Sequence, residues 1–126
     1  MASDTAGTGA KDGEWLTAED LIFLMDAVGI HKAVVLSVAY WFGDPTDDWP
    51  NEYESTRAEN DWAAAEVARH PDRLVAFCGI APLREYAEAE VRRYASDLGV
   101  QGIKIQFSNS TVNLHDRAHV RRIFAL

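Results

Sequence analysis

The residue with the most chemistry to explain is Lys104, one of three lysines in a chain that has nine arginines. It lies in "LGVQGIKIQF", Leu98 to Phe107, a short apolar run with the composition of a buried strand. With a period of two, Gly102, Lys104 and Gln106 share one face, and Ile103, Ile105 and Phe107 share the other. The apolar face must pack under helices, so the polar face looks into whatever the strands enclose. An ammonium there is costly unless a carboxylate, a metal-bound anion or a substrate partners it. Lys104 and Gln106 are therefore candidate substrate-binding residues. The alternative is an edge strand that shows this face to water, where lysine is common.

A second group with chemical potential is the aromatic stretch Tyr40, Trp41 and Phe42, with Trp49 and Tyr53 close behind. It follows the carboxyl end of another strand-like run, "KAVVLSV", Lys32 to Val38. Ligands of parallel α/β folds bind outside the carboxyl ends of the strands. Tyr40 and Trp41 are thus further substrate-binding candidates. Packing over the rim, or against a partner subunit, is the competing role for the same aromatic residues.

Other chemistries find little support. No GxGxxG, GxxxxGK[ST], GxSxG, HExxH or CxxC occurs. His115 and His119 have the i, i+4 spacing of a helical metal pair, but no glutamate stands between them in the HExxH position and His115 falls at or before the helix start. They read as a helix-capping residue and a surface residue, while His31 and His70 read as partners of helix C-termini. The single cysteine, Cys78, allows no intrachain disulfide and no cysteine-based zinc cluster, which fits a reducing, cytoplasmic setting. A formal net charge of −8 argues against nucleic acid and anionic membrane as partners. Residues 1–13, "MASDTAGTGAKDG", lack the basic start and apolar run of a signal peptide, and no apolar stretch approaches the roughly 18 to 20 residues that a membrane span needs.

The elements that must position these residues follow from periodicity. Residues 1–13 are small, polar and glycine-rich and are expected to be a flexible tail, with one domain over 14–126. A helix opens at Thr17, with Asp20 at capping-box spacing, a stripe of Leu21, Leu24, Met25 and Val28, and Gly29 as its stop. After the Lys32 to Val38 strand, Ala39 to Asn51 carries Gly43, Pro45 and Pro50 and is expected to be an irregular connection. A helix from about Asn51 or Glu52 to His70, a strand Arg73 to Ala81 and a third helix over "REYAEAEVRRYASDLG" follow, the last with Ala87, Val91, Tyr94, Ala95 and Leu98 on one face. The Lys104 strand, a polar loop and a fourth helix from near Asp116 complete the order.

Three strands of seven to nine residues alternating with four helices imply an α/β fold with parallel pairing, either a small open sheet or part of a closed barrel. Ala33, Val35 and Ser37 make a smaller face opposite Val34, Leu36 and Val38, and Phe77, Gly79 and Ala81 oppose Ala76, Cys78 and Ile80. Small or polar residues are expected to line the interior toward the carboxyl ends. The final "HVRRIFAL" stops inside an apolar helical pattern, so the chain is expected to be a truncated part of a larger fold. A complete flavodoxin-like domain is a weaker option, since no phosphate-cradling loop supports it.

The segments "MDAVGIHKAVVLS", "ARHPDRLVAFCGI" and "LGVQGIKI" resemble, in content and spacing, the amidohydrolase-related family of metal-dependent hydrolases and decarboxylases. The resemblance covers about residues 16–126 and implies a partial (β/α)8 TIM barrel containing about its second to fourth strands. It implies a divalent metal, zinc first, and a small-molecule substrate undergoing hydrolysis or decarboxylation. The family's metal ligands are an HxH pair on the first barrel strand, histidines on the fifth and often the sixth, and an aspartate on the eighth. None of these has a counterpart here, so no metal ligand is assigned and the chain alone is expected to be inactive. Some related enzymes carboxylate a strand-four lysine to bridge two metals; in the subfamily resembled, that lysine is usually not a ligand, and Lys104 is read as a lumen cation. A non-catalytic half-barrel that pairs through open strand edges with another chain, a homo-oligomer included, is the alternative.

Overall fold

The structure, a computed structural model, describes residues 16–98 and 101–126. In chain order the elements are α1 (Ala18–Val28), β1 (Ala33–Leu36), α2 (Glu52–Ala68), β2 (Leu74–Gly79), α3 (Ala87–Asp97), β3 (Ile103–Lys104) and α4 (Arg117–Phe124). The expected tail, together with Gly99 and Val100 before β3, lies outside the described residues.

The three strands form one parallel sheet in the order β1-β2-β3. Ala33 pairs with Leu74 and Leu36 with Phe77, while Cys78 pairs with Ile103 and Gly79 with Lys104. Residues in register point to the same side of a sheet, so this pairing settles the faces. Ala18 and Met25 of α1 and Val67 of α2 pack with Leu74 and Ala76, and with the partly buried Ala33 and Val35. Ala64 of α2 and Tyr94 of α3 enclose Cys78. The three helices therefore cover the same face. A doubly wound, flavodoxin-like sheet would carry helices on both faces. Sequential parallel strands with every crossover helix on one side are what a section of a (β/α)8 barrel requires.

The opposite face carries Val34 and Leu36, 51% and 46% exposed, together with Phe77, Gly79, Gly102 and Lys104. This reverses the expectation for β1: its smaller residues, Ala33 and Val35, lie under the helices, and its larger ones look out. The small side chains let α1 and α2 approach the sheet closely, and both faces of β1 are apolar, so polarity could not distinguish them.

The strands span 4, 6 and 2 residues, shorter than the seven to nine expected. β1 ends early because the chain lifts off the sheet at Ser37. Trp41 N then donates to Val38 O, and Ala39–Gly43 forms a 3₁₀ turn where an irregular loop was expected. α1 opens with the anticipated capping box, Thr17 and Asp20 satisfying each other's backbone N–H groups, and closes on Gly29 at φ 75°. Its buried stripe is Ala18, Leu21, Ile22 and Met25; Leu24 and Val28 are exposed instead.

Helix α3 departs in one more way. Glu90 is fully buried, and Ala95 and Leu98, expected on the apolar face, are exposed. Arg93 supplies two hydrogen bonds to Glu90, at 2.8 and 2.9 Å, and a third to Asp61 at 2.8 Å. The histidines also have other partners than expected. His70 Nε2 lies 2.9 Å from Glu19 Oε1 at the start of α1, and Arg73 instead donates to the His31 and Ile30 carbonyls beyond the end of that helix. Asp116, not His115, caps α4 by accepting from Ala118 N, while His119 Nδ1 accepts from Asn113 N.

Candidate functional site

The site is built where the strands end. β3 brings Lys104 to the open face, and the 3₁₀ turn after β1 brings Tyr40 across to meet it. The Lys104 ammonium lies 5.7 Å from the Tyr40 ring centroid. A cation over an aromatic face at this range contributes about 0.5–1 kcal/mol. Lys104 Nζ also donates to Gln106 Oε1 at 3.3 Å, and Gln106 Nε2 donates to Ser108 Oγ at 3.3 Å. Tyr40 and Trp41 meet edge to face, with centroids 6.2 Å apart and planes at 89°. The four residues singled out from sequence, Lys104, Gln106, Tyr40 and Trp41, thus lie together at one rim, each half-buried.

The turn can cross the sheet because of Gly79. A Cβ at Gly79 would sit 2.4 Å from Ser37 O and 2.9 Å from Ala39 N, so only glycine lets the departing chain pass this close. Behind the turn, Phe42 packs edge to face on Trp49, with centroids 5.1 Å apart. Gly43 rests on Ala81, where no Cβ would fit.

A second tie closes the rim. Asn109 Nδ2, from the loop after β3, donates to Asp44 Oδ2 at 2.9 Å, linking that loop to the one after β1. Asp44 Oδ1 accepts from Thr46 N at 2.9 Å and Thr46 Oγ1 at 2.7 Å. Those bonds, the backbone one foremost, hold the Asp44 carboxyl below the ordinary aspartate range. This tie is not among the features expected from sequence. Asp44-Pro45-Thr46 is a recognisable side-chain-to-backbone turn, but nothing in sequence points Asn109 at it.

Charge decides what such a rim can hold. Among the described residues the Lys104 ammonium pairs with no carboxylate, and its contacts are an amide oxygen and a ring face. It retains capacity for an anion, and the neighbouring aromatic rings offer a surface for a flat ligand. No group of three or more His, Cys, Asp or Glu among the described residues could hold a metal ion. The divalent cation implied by the family resemblance thus finds no ligand set here. His115 is exposed and His119 is engaged by Asn113, so the i, i+4 pair forms no such set either. Cys78 is buried beneath α2 and α3, which pushes its thiol up to about 12 and leaves it unreactive. No described helix is long and apolar enough to cross a membrane.

Comparison with known proteins supports the barrel reading independently of this geometry. The amidohydrolase family model matches residues 31–126. The γ-resorcylate decarboxylase of Rhizobium radiobacter is 38% identical over 81 residues, which are 63% of this chain and 24% of that protein. The chain thus spans about a quarter of the length of this curated relative. The family match runs from the start of β1 through α4 and includes every element that builds the rim, and the chain belongs to the amidohydrolase family.

Proposed function

We propose that this chain forms the substrate-binding wall of an amidohydrolase-type enzyme that acts on a small organic acid, with decarboxylation of an aromatic carboxylate favoured over hydrolysis. The observation that carries the reading is the Lys104 ammonium on the open sheet face, flanked by Gln106, Tyr40 and Trp41 and without a carboxylate partner among the described residues. A carboxylate ligand would complete its pairing, and Tyr40 and Trp41 would stack on or edge against an aromatic ring. The similarity to a γ-resorcylate decarboxylase favours an aromatic acid. The family's dependence on a divalent metal, zinc in this reading, would be met by ligands other than the residues described, and no step is derived through it. The buried free thiol suits a reducing, cytoplasmic setting.

The test is titration of the chain with γ-resorcylate, with and without added zinc, following both binding and turnover. Saturable binding without turnover is expected. Absence of binding would overturn the substrate-wall reading, and turnover by the chain alone would overturn the placement of the metal ligands outside it.

A second reading is favoured by the exposure of Val34 and Leu36 on the open face. Covering their exposed halves would contribute about 1 kcal/mol each, so this face supports association with another chain, a second copy included. Concentration-dependent assembly in size-exclusion chromatography, abolished by Leu36→Glu, supports it. A well-folded monomer at all concentrations contradicts it.

A further inference from the structure

We infer that Asn60 is a positioning residue for the Lys104 site, standing in for the missing end of β1. The inference rests on the proposed role of Lys104 and Tyr40. It adds a residue on the far side of the sheet that sets how the two meet.

The last bond from β1 to β2 is Ser37 N to Phe77 O, at 3.1 Å. Two residues further along β2, Gly79 would face an empty lane on that side. On its other side β2 remains fully paired, with Cys78 N on Gly102 O at 2.9 Å and Ile80 N on Lys104 O at 3.1 Å. Buried backbone groups left unpaired are costly. Asn60, fully buried in the middle of α2, fills the lane. Gly79 N donates to Asn60 Oδ1 at 3.0 Å, and Asn60 Nδ2 donates to Gly79 O at 3.1 Å. One carboxamide thereby supplies the acceptor and the donor that a strand residue would have offered.

The orientation of that carboxamide is fixed from behind. Asn60 Nδ2 also donates to Glu90 Oε1 at 3.0 Å, and Glu90 is held in turn by Arg93. A flipped amide would set its NH₂ against the Gly79 N–H and its oxygen against both Gly79 O and the carboxylate, so only one orientation satisfies all three groups. With Gly79 paired in this way, β1 is free to leave the sheet two residues early. Its exit passes directly over Gly79, and the following turn lays Tyr40 over Lys104. Asn60, and not the strand, therefore decides where the aromatic turn begins.

The test is nuclear magnetic resonance of the 126-residue chain without ligand. In the wild type the Lys104 ε-methylene protons should be shifted upfield by the Tyr40 ring, and the Gly79 amide should be as protected from exchange as its neighbours Cys78 and Ile80. In Asn60→Ala, Gly79 protection should fall about tenfold or more, as expected for two lost side-chain bonds. The upfield shift of Lys104 should vanish there, while the lower ladder between Ala33–Leu36 and Leu74–Phe77 keeps its protection. If Asn60→Ala does not fold, Asn60→Ser decides, because it brings no charge beside Glu90 and its shorter hydroxyl cannot pair with Gly79 N and Gly79 O together. It should show a reduced Lys104 shift, and a wild-type shift there would overturn the inference. A folded Asn60→Ala with an unchanged Lys104 shift would also overturn the role of Asn60 and leave the site itself standing. A wild type without any ring shift on Lys104 would overturn the site on which the inference rests.

Discussion

Replacing Gly79 by alanine tests how closely the rim is built. The added Cβ points to the open face and meets Ser37 O at 2.4 Å, Ala39 N at 2.9 Å and Ser37 C at 3.0 Å, all backbone atoms. To reach ordinary contact the Ser37 carbonyl must retreat by roughly 1 Å. That retreat pulls on the Ser37 N to Phe77 O bond at the end of the β1–β2 ladder and on the Ala39 N to Ser37 Oγ bond that starts the aromatic turn. Overpacking of this kind costs about 1–3 kcal/mol, and a backbone obstacle belongs at the upper end. Gly102→Ala is the matched control. Its Cβ would meet the Phe77 ring at 2.5 Å, a conflict of similar closeness, but that ring is a side chain on the open face and can rotate away. The control should therefore cost about 1 kcal/mol or less. Urea unfolding followed by circular dichroism would read both as shifts in midpoint at constant slope. Equal destabilisation by the two substitutions, or a neutral Gly79→Ala, would refute the claim that β1 crosses the sheet at Gly79.

Other perturbations have equally definite outcomes. Glu90→Ala should destabilise the fold by about 3 kcal/mol in the same unfolding assay, because it takes the buried carboxylate from both Arg93 and Asn60; Asn60 keeps Gly79 O and Arg93 keeps Asp61, which holds the cost to the lower end of the range for breaking a buried pair. Asp20 accepts from the Thr17 backbone N and from Thr17 Oγ1, each at 2.9 Å, and these bonds hold its pKa below the ordinary 3.8. The cap of α1 should accordingly be complete above pH 3.8 and be lost as pH falls through the lowered value, seen as faster amide exchange in the first turn of α1 in acid. Cys78 should resist alkylating reagents at neutral pH in the folded chain and react on unfolding; rapid labelling of the folded protein would contradict its burial.

The legible part of the fold came from alternation and punctuation. β3 has polar residues on one side and isoleucines on the other, so its face could be assigned before any pairing partner was known. Thr17, Asp20 and Gly29 state the limits of α1 in the same local way. β1 carries no such contrast, and its face depends on Ala33 lying beside Leu74, which only the register reveals. The stripe of α1 was misjudged for a related reason. Leu24 and Val28 fit a helical period as well as Ile22 and Met25 do, and the choice is made by what the sheet presents. Glu90 and Asn60 were invisible as core residues because their burial depends on each other and on Arg93 and Gly79, partners distant in sequence. At the site, residue type pointed to Lys104, Gln106, Tyr40 and Trp41 separately, whereas the Asp44–Asn109 tie arises from two loops 65 residues apart.

The central claim is that the rim around Lys104 receives an aromatic carboxylate, and it is tested most directly by titrating γ-resorcylate into wild-type and Lys104→Met chains while observing backbone and side-chain resonances. Saturable shifts centred on Lys104, Gln106, Tyr40 and Trp41 are predicted, with affinity falling about 10- to 100-fold in Lys104→Met, as for loss of a charged hydrogen-bond partner. Shifts centred elsewhere, or equal affinity in the two proteins, would contradict it.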